Sequence, residues 1–160
     1  MHIALFMDQH PHSLYALSNL GVVRFHQQKY PEAEKALRKA IQISGNDAFS
    51  SAVLGIVLVQ QEKYQEAVEV LRRAKQLDPQ DAKTRNYLGI SCSRLGLNEE
   101  AERECRKAIE LDDKYGDAHF NLAVMYATRT PPSQELARQH YDRALKLGVP
   151  KDKDLEKLLP

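Results

Sequence analysis

The chain has 160 residues and a formal net charge of +1, with 42% hydrophobic and 28% charged residues. This balance is typical of a protein that folds around a core, and it excludes an intrinsically disordered chain. The small net charge argues against nucleic-acid binding. No apolar run approaches the roughly 20 residues needed to cross a bilayer, so we expect no membrane insertion by this segment.

The opening residues from Met1 to Asp8 do not resemble a signal peptide, because they have no basic leader, only a short apolar stretch and no small-residue cleavage site. We therefore expect a cytoplasmic protein or, if the sequence is part of a longer one, a soluble fragment of a larger or membrane-anchored protein. His10 and His12 flank Pro11 without a carboxylate or thiol at metal-ligand spacing. We interpret them as surface histidines.

From residue 14 onward the chain repeats itself every 34 residues. Leu20-Gly21 recurs as Leu54-Gly55 and Leu88-Gly89, and Leu122-Ala123 stands at the same place in a fourth copy. Alanines recur in register in the second half of the copies. They are Ala33, Ala67 and Ala101, followed by Ala40, Ala74, Ala108 and Ala144. Small residues in this pattern predict two helices in each copy that approach one another closely.

The pattern resembles the tetratricopeptide repeat over nearly the whole chain. The resemblance implies an all-α fold, a right-handed superhelical solenoid of helix-turn-helix repeats, in which the first helix of each repeat (the A helix) lines a concave surface. The aromatic residue that the family carries at the fourth place is missing, which we expect to weaken individual packing contacts. Its replacements are Leu17, Ser51, Arg85 and His119.

We predict a single domain of four full repeats with a partial repeat at each end. The boundaries are 1–13 for the end of a preceding repeat, 14–47, 48–81, 82–115 and 116–151 for repeats 1 to 4, and 152–160 for a C-terminal capping helix. The capping helix is expected to bury an apolar stripe that consists of Leu155, Leu158 and Leu159.

The helix ends carry their own signals. Ser13, Asp47 and Asp81 stand just ahead of three A helices and are expected to cap them, whereas Tyr115 breaks the series before the fourth. The fourth repeat has two extra residues near its inter-helix turn. Ser133 follows that turn and is expected to cap the second helix (the B helix), and Gly148 is expected to end it.

A groove for a ligand is implied by the family's concave surface, onto which the second, fifth, ninth, twelfth and thirteenth places of each A helix face. In this chain those places are apolar and aromatic in the first two repeats and more polar and basic in the third. The predicted groove residues, with Asn121 as a neighbour, are Tyr15, Val22, Phe25, Phe49, Ile56, Val59, Lys83, Asn86, Ile90, Arg94, Asn121 and Val124.

The ninth place holds a β-branched aliphatic residue in every repeat, and two interpretations of this ladder stay open. One is a ligand-binding wall, on which each buried side chain would contribute roughly 1.5–3 kcal/mol. The other is core packing between neighbouring A helices. The wall would alternatively be covered by an N-terminal part of the protein or by a second copy of the chain.

Function follows from the resemblance as an expectation. The leading hypothesis is a protein–protein interaction scaffold that binds a peptide or helix in the groove, with an acidic group or a chain terminus near Lys83 and Arg94. The alternatives are a self-associating structural array and an accessory domain of a larger enzyme. The two-carboxylate clamp that some family members use for chaperone tails is not assembled, since only Lys83 matches it and Tyr87 replaces its arginine.

Nothing in the sequence indicates catalysis or a cofactor. No nucleophile triad, phosphate-binding glycine loop or metal-ligand motif is present, so we predict that the chain is not an enzyme and binds no metal. Cys92 and Cys105 occupy places that pack together in the family. They are expected to be buried thiols, with a disulfide as the alternative outside the cytoplasm.

Overall fold

The computed structural model describes residues 13–160. This part of the chain forms nine α-helices and no strand, which confirms the all-α prediction. The helices are α1 (Leu14–His26), α2 (Tyr30–Ile43), α3 (Ala48–Gln60), α4 (Tyr64–Leu77), α5 (Ala82–Arg94), α6 (Asn98–Leu111), α7 (Gly116–Thr128), α8 (Gln134–Lys146) and α9 (Lys153–Leu158). Only residue 13 of the partial repeat predicted over 1–13 is described. His10 and His12 lie outside the described residues.

The helices group into two compact units, one ending at Pro79 and the other running from Gln80 to Pro160. In the first unit α1 packs on α2 and α3 on α4, and α3 also contacts α1 and α2. In the second unit α5 packs on α6 and α7 on α8, and α7 also contacts α5, α6 and α9. That the whole chain forms a single domain stays a prediction.

Close packing within the helix pairs depends on the repeated glycines, as the sequence predicted. A methyl group at Gly55 would lie 2.3 Å from Leu71 Cδ2, and one at Gly21 would lie 2.5 Å from Leu37 Cγ. At Gly89 the obstructing atom is Cys105 Sγ, at 2.4 Å. Each of these distances is far inside van der Waals contact, so at these three positions a methyl group would force the facing side chain to move.

Three of the predicted helix caps are confirmed. The side chains of Ser13, Asp47 and Asp81 accept hydrogen bonds from the backbone N–H groups of Ala16, Ser50 and Lys83, at 3.1, 3.0 and 3.1 Å. Tyr115 makes no such bond, as expected.

The cap predicted for the last B helix is only half right. Ser133 does occupy the N-cap position of α8, but its side chain caps no backbone amide. Its hydroxyl instead accepts a hydrogen bond from Arg129 Nε at 2.9 Å. Gly148 follows the end of α8 with a φ of +95°, a left-handed conformation that glycine adopts without strain, so the predicted stop is confirmed.

The last helix closes the second unit. Leu155 and Leu159 enter a buried cluster with Leu122, Tyr126 and Tyr141. Leu158, which the apolar stripe included, is 47% exposed. The helix ends at Leu158, and Leu159 enters the cluster from extended backbone beyond it, with a φ of −98° and a ψ of 144°. No helix in the described range 13–160 is long and apolar enough to span a membrane.

Candidate functional site

The predicted groove residues of the first unit lie on its two A helices, α1 and α3. Tyr15 and Phe49 stand at the same place in successive repeats and are 52% and 54% exposed. Val22, Phe25 and Val59 are partly exposed. The first unit therefore presents half-exposed aromatic side chains on the A-helix side.

Ile56 differs from its neighbours, since only 6% of it is exposed. At this rung of the ladder the core interpretation fits the packing. The equivalent residues Val22, Ile90 and Val124 keep partial exposure. A charged substitution at Ile56 would therefore test folding as much as binding.

Hydroxyl groups hold α1 and α3 side by side. The Ser18 and Ser50 Oγ atoms are 2.7 Å apart and share a hydrogen bond in a buried position. Ser50 also donates its hydroxyl to the carboxylate of Asp47, the residue that caps α3. The cap of one A helix is thereby linked to the side of the other, and this fixes the aromatic residues at the start of both helices.

In the second unit α5 and α7 enclose a pocket of about 280 Å³. It brings together four of the named groove residues with Phe120 and Ser93, which stand at the predicted fifth and twelfth places, and with Met125, whose place was not predicted. Its lining consists of Ile90, Ser93 and Arg94 from α5 and Phe120, Asn121, Val124 and Met125 from α7. An apolar wall thus lies beside a guanidinium group and an amide, a combination that suits an extended peptide or an amphipathic helix.

Asn86 lies behind this pocket instead of on its surface. It is 2% exposed, accepts a hydrogen bond from Asn121 Nδ2 at 2.9 Å and donates one to the Tyr115 hydroxyl at 3.2 Å. A buried amide needs such partners, because leaving it unpaired costs several kcal/mol. Asn86 therefore joins α5 to α7 and positions Asn121 in the wall.

Lys83 and Arg94 are both exposed but stand at opposite ends of α5. They are eleven positions apart, which is about 16 Å along a helix axis. Of the two, only Arg94 lines the pocket. That an acidic group lies near both residues stays a prediction.

The second unit also contains polar contacts between A and B helices that sequence reasoning missed. Arg85 Nη1 donates to Glu104 Oε2 at 3.0 Å, with the Glu104 side chain almost fully buried. In the next repeat His119 Nδ1 and His140 Nδ1 are 3.0 Å apart. Arg85 and His119 occupy the fourth place, where the family's aromatic residue is missing. The sequence pattern showed this replacement but did not show that each residue has a partner on the B helix.

Tyr126 on α7 forms the centre of a third polar group. Its hydroxyl donates to Glu102 Oε1 at 2.8 Å and accepts from Arg106 Nε at 3.0 Å. The Arg129 guanidinium lies 4.8 Å from the ring centroid, within cation–π range. Burial, and next the Glu102 carboxylate, raise the pKa of the Tyr126 hydroxyl.

The two cysteines are buried thiols on α5 and α6. Burial, followed by the nearby Glu104 carboxylate and Cys92 thiol, raises the pKa of Cys105 to about 12. A thiol with so high a pKa is a poor nucleophile, so Cys105 serves as a small apolar residue below Gly89. Over residues 13–160 no three His, Cys, Asp or Glu side chains are grouped so that they could hold a metal ion.

Comparison with known protein families identifies the repeat over most of the chain. Two family models, both described as tetratricopeptide repeat, match this chain, one over residues 12–80 and the other over residues 52–115 and 88–152. Among proteins of curated function, none matches the sequence significantly.

Solved structures share the fold. YrrB, described as a tetratricopeptide repeat protein with an unusual peptide-binding site, is 26% identical over 96% of this chain and 78% of its own, with a TM-score of 0.76. MamA of MSR-1 is 25% identical over 84% of this chain and 76% of its own, with a TM-score of 0.70. MamA from Desulfovibrio magneticus RS-1 is 20% identical over 94% and 84%, with a TM-score of 0.80.

These likenesses confirm the predicted helical-repeat fold, and the family models cover most of the sequence. The chain therefore belongs to the tetratricopeptide repeat family.

Proposed function

We propose that the chain is a non-catalytic scaffold that binds a peptide or helix of a partner protein on its A helices. The observation that carries this proposal is the pocket between α5 and α7, where Ile90, Phe120 and Val124 form an apolar wall beside Arg94. Burying such a side chain under a ligand contributes roughly 1.5–3 kcal/mol toward affinity, which offsets part of the entropy cost of ordering a peptide.

Two further observations support the proposal. Tyr15 and Phe49 keep half of their surface exposed, and aromatic side chains at the centre of an interface contribute strongly to affinity. YrrB, at 26% identity, is described as having a peptide-binding site. The polar rim at Arg94 and Asn121 would orient a peptide by its backbone carbonyls or an acidic side chain.

The binding test uses a peptide selected from a random-peptide phage library on the wild-type chain. Its affinity is then measured by fluorescence anisotropy for Val124→Asp and Phe120→Ala in the pocket. Leu158→Asp is the matched control, because Leu158 is an exposed leucine on α9. We expect each pocket variant to weaken binding about tenfold or more, since each removes one apolar anchor, and the control to bind like wild type.

Circular dichroism must show equal helicity for all of these variants. Unchanged affinity in both pocket variants would rule out this groove as the binding site. The first unit is tested in the same way with Phe49→Ala against Ile43→Ala, since both residues are exposed to nearly the same extent, at 54% and 52%.

Self-association is the competing proposal, because the exposed Tyr15 and Phe49 would also suit a second copy of the chain. Light scattering at several protein concentrations separates the two proposals. A molar mass that stays monomeric at every concentration excludes the self-associating array. A mass that rises with concentration and falls again in Phe49→Ala favours it.

A further inference from the structure

The contact between His119 on α7 and His140 on α8 joins the two helices of the last repeat. His119 is buried, His140 is partly buried, and their Nδ1 atoms are 3.0 Å apart. The His140 ring also stacks on Tyr126, with centroids 5.6 Å apart and 29° between the planes. The geometry holds both rings in place with their Nδ1 atoms directed at one another.

This place in the repeat is occupied differently in each copy. The ion pair of Arg85 and Glu104 stands at the same place in the third repeat, once the two inserted residues of the fourth are allowed for. In the first two repeats the corresponding pairs are Leu17 with Ala36 and Ser51 with Val70, which carry no ionisable group. Only the fourth repeat carries a pair that titrates near neutral pH.

The hydrogen bond between the two imidazoles limits how many protons the pair can take up. When both rings are neutral, one Nδ1 carries a hydrogen and donates it to the other. A first proton can bind at Nε2 when His140 is the donor ring, and the hydrogen bond survives. The Nε2 of His119 is buried without a hydrogen-bond partner, so a proton there is costly. A second proton must bind at the accepting Nδ1, which sets two N–H groups against each other at 3.0 Å and breaks the contact.

The surroundings add to this limit. Burial lowers the pKa of both histidines. For His119 the backbone and charge of Asp113, in the loop before α7, oppose the shift, and Arg143 on α8 reinforces it. For His140 the neighbouring His119 and Arg106 on α6 lower the pKa further, against Glu102 on α6. The other helices packed on α7 bring Asn86 from α5 and the buried Leu155 from α9, followed by Leu159 just after that helix.

We propose that the His119–His140 pair is a proton-sensitive contact that loosens α7 from α8 when the solution becomes acidic. The unfolded chain takes up two protons at these residues near pH 6.5, whereas the closed pair takes up one at most. The open state therefore binds more protons below that pH, and the contact loses stability as the pH falls.

Loosening α7 also affects the candidate groove. The same helix carries Phe120, Asn121 and Val124 into the pocket that it shares with α5. Acid would therefore release a ligand from this groove, a consequence that rests on the proposed function, whereas the opening itself does not.

The opening is tested on the ligand-free full chain between about pH 8 and pH 5, the range in which histidines titrate. Imidazole nitrogen NMR gives the protonation of each ring, and amide hydrogen exchange, corrected for its intrinsic pH dependence, gives the opening of α7 and α8. The decisive variant is His119→Arg/His140→Glu, which places the third repeat's ion pair in the fourth. His26→Gln, at an exposed histidine on α1, is the control.

In wild type we expect two coupled titration steps, the second below the usual histidine range. Below about pH 6 the protection of α7 and α8 against amide hydrogen exchange should fall by up to about tenfold per pH unit, because the closed pair binds one proton fewer than the open state. The control should behave like wild type, and the ion-pair variant should lose this dependence. Two independent titrations at ordinary values, or equal pH dependence in the ion-pair variant, would overturn the proposal.

Two further measurements keep the result decisive. If the ion-pair variant does not fold, His140→Gln replaces it, since it also removes the second titrating ring. The peptide affinity of wild type at both ends of the pH range separates the two consequences. If the contact opens in acid but peptide affinity does not change with pH, the opening stands and only its effect on the groove is contradicted.

Discussion

At the scale of single residues, Glu34 shows how one carboxylate can hold several helices. It lies on α2, and its carboxylate accepts hydrogen bonds from Lys63 Nζ at 2.9 Å, Gln61 Nε2 at 2.7 Å and Arg38 Nε at 2.9 Å. Burial raises its pKa, but these bonds outweigh burial and lower the pKa to about 2. The carboxylate therefore stabilises the junction between α2 and the α3–α4 turn.

The pH dependence of stability follows from that shift. The contribution of Glu34 is fully present above its usual pKa of 4.5 and is lost as the pH falls from there toward about 2. We expect Glu34→Gln to be less stable than wild type at neutral pH and to lose less stability over this acid range. Urea unfolding across it, with Glu32→Gln on the same helix as control, measures the difference; parallel curves for wild type and Glu34→Gln would refute the prediction.

At the scale of helices, the close approach of A and B helices at a glycine is the most demanding packing contact. Gly55→Ala would force a methyl group to within 2.3 Å of Leu71, so we expect α3 and α4 to separate and the free energy of unfolding to drop by about 1–3 kcal/mol. Gly45→Ala is the control, because the nearest atom there is 3.9 Å away.

Chemical denaturation of both glycine variants gives the two losses of stability. A second experiment tests the cause: combining Gly55→Ala with Leu71→Ala should cost less than the sum of the single changes, because the smaller side chain leaves room for the methyl group. Strict additivity would mean that Leu71 is not the obstruction.

At the scale of the whole molecule, the C-terminal helix α9 decides how well the second unit is covered. Leu155 is buried against that unit, whereas Leu158 is exposed. We expect Leu155→Ala to destabilise the second unit by about 2–4 kcal/mol and Leu158→Ala to have little effect. Hydrogen exchange resolved by helix would show the loss in α7 and α8; a loss confined to α9 would mean that the helix does not support its unit.

The repeat pattern predicted much of this architecture from sequence. Glycines and capping residues recur at a fixed interval, because a close helix approach or a helix start depends on one residue. Gly55 and Asp47 could therefore each be recognised from the sequence by themselves. A contact between two side chains cannot be recognised in this way, because it depends on the position of both residues. At an interval of 34, His140 aligns with Arg106, whereas in space it corresponds to Glu104, since the insertion after α7 shifts every later residue by two.

For the candidate site, the sequence predicted which places line the pocket but not how deeply each side chain is buried. The places that line the pocket in the second unit follow from helical periodicity, as Ile90 and Val124 show. Helical periodicity did not predict how far each side chain is buried, because burial depends on contacts with residues of other helices. Asn86 is buried by Tyr115 and Asn121, and Ile56 is covered although Val22 at the same place is not.

The varying pair between the fourth place of each A helix and its B helix has a consequence for how the chain avoids misfolding. Similar helices in tandem can dock on the wrong neighbour during folding. If α5 docked on α8, Arg85 would lie beside His140, and Glu104 would be separated from its guanidinium at a cost of about 3–5 kcal/mol. The ion pair and the histidine pair thus make docking within each repeat of the second unit more favourable than this exchange of partners.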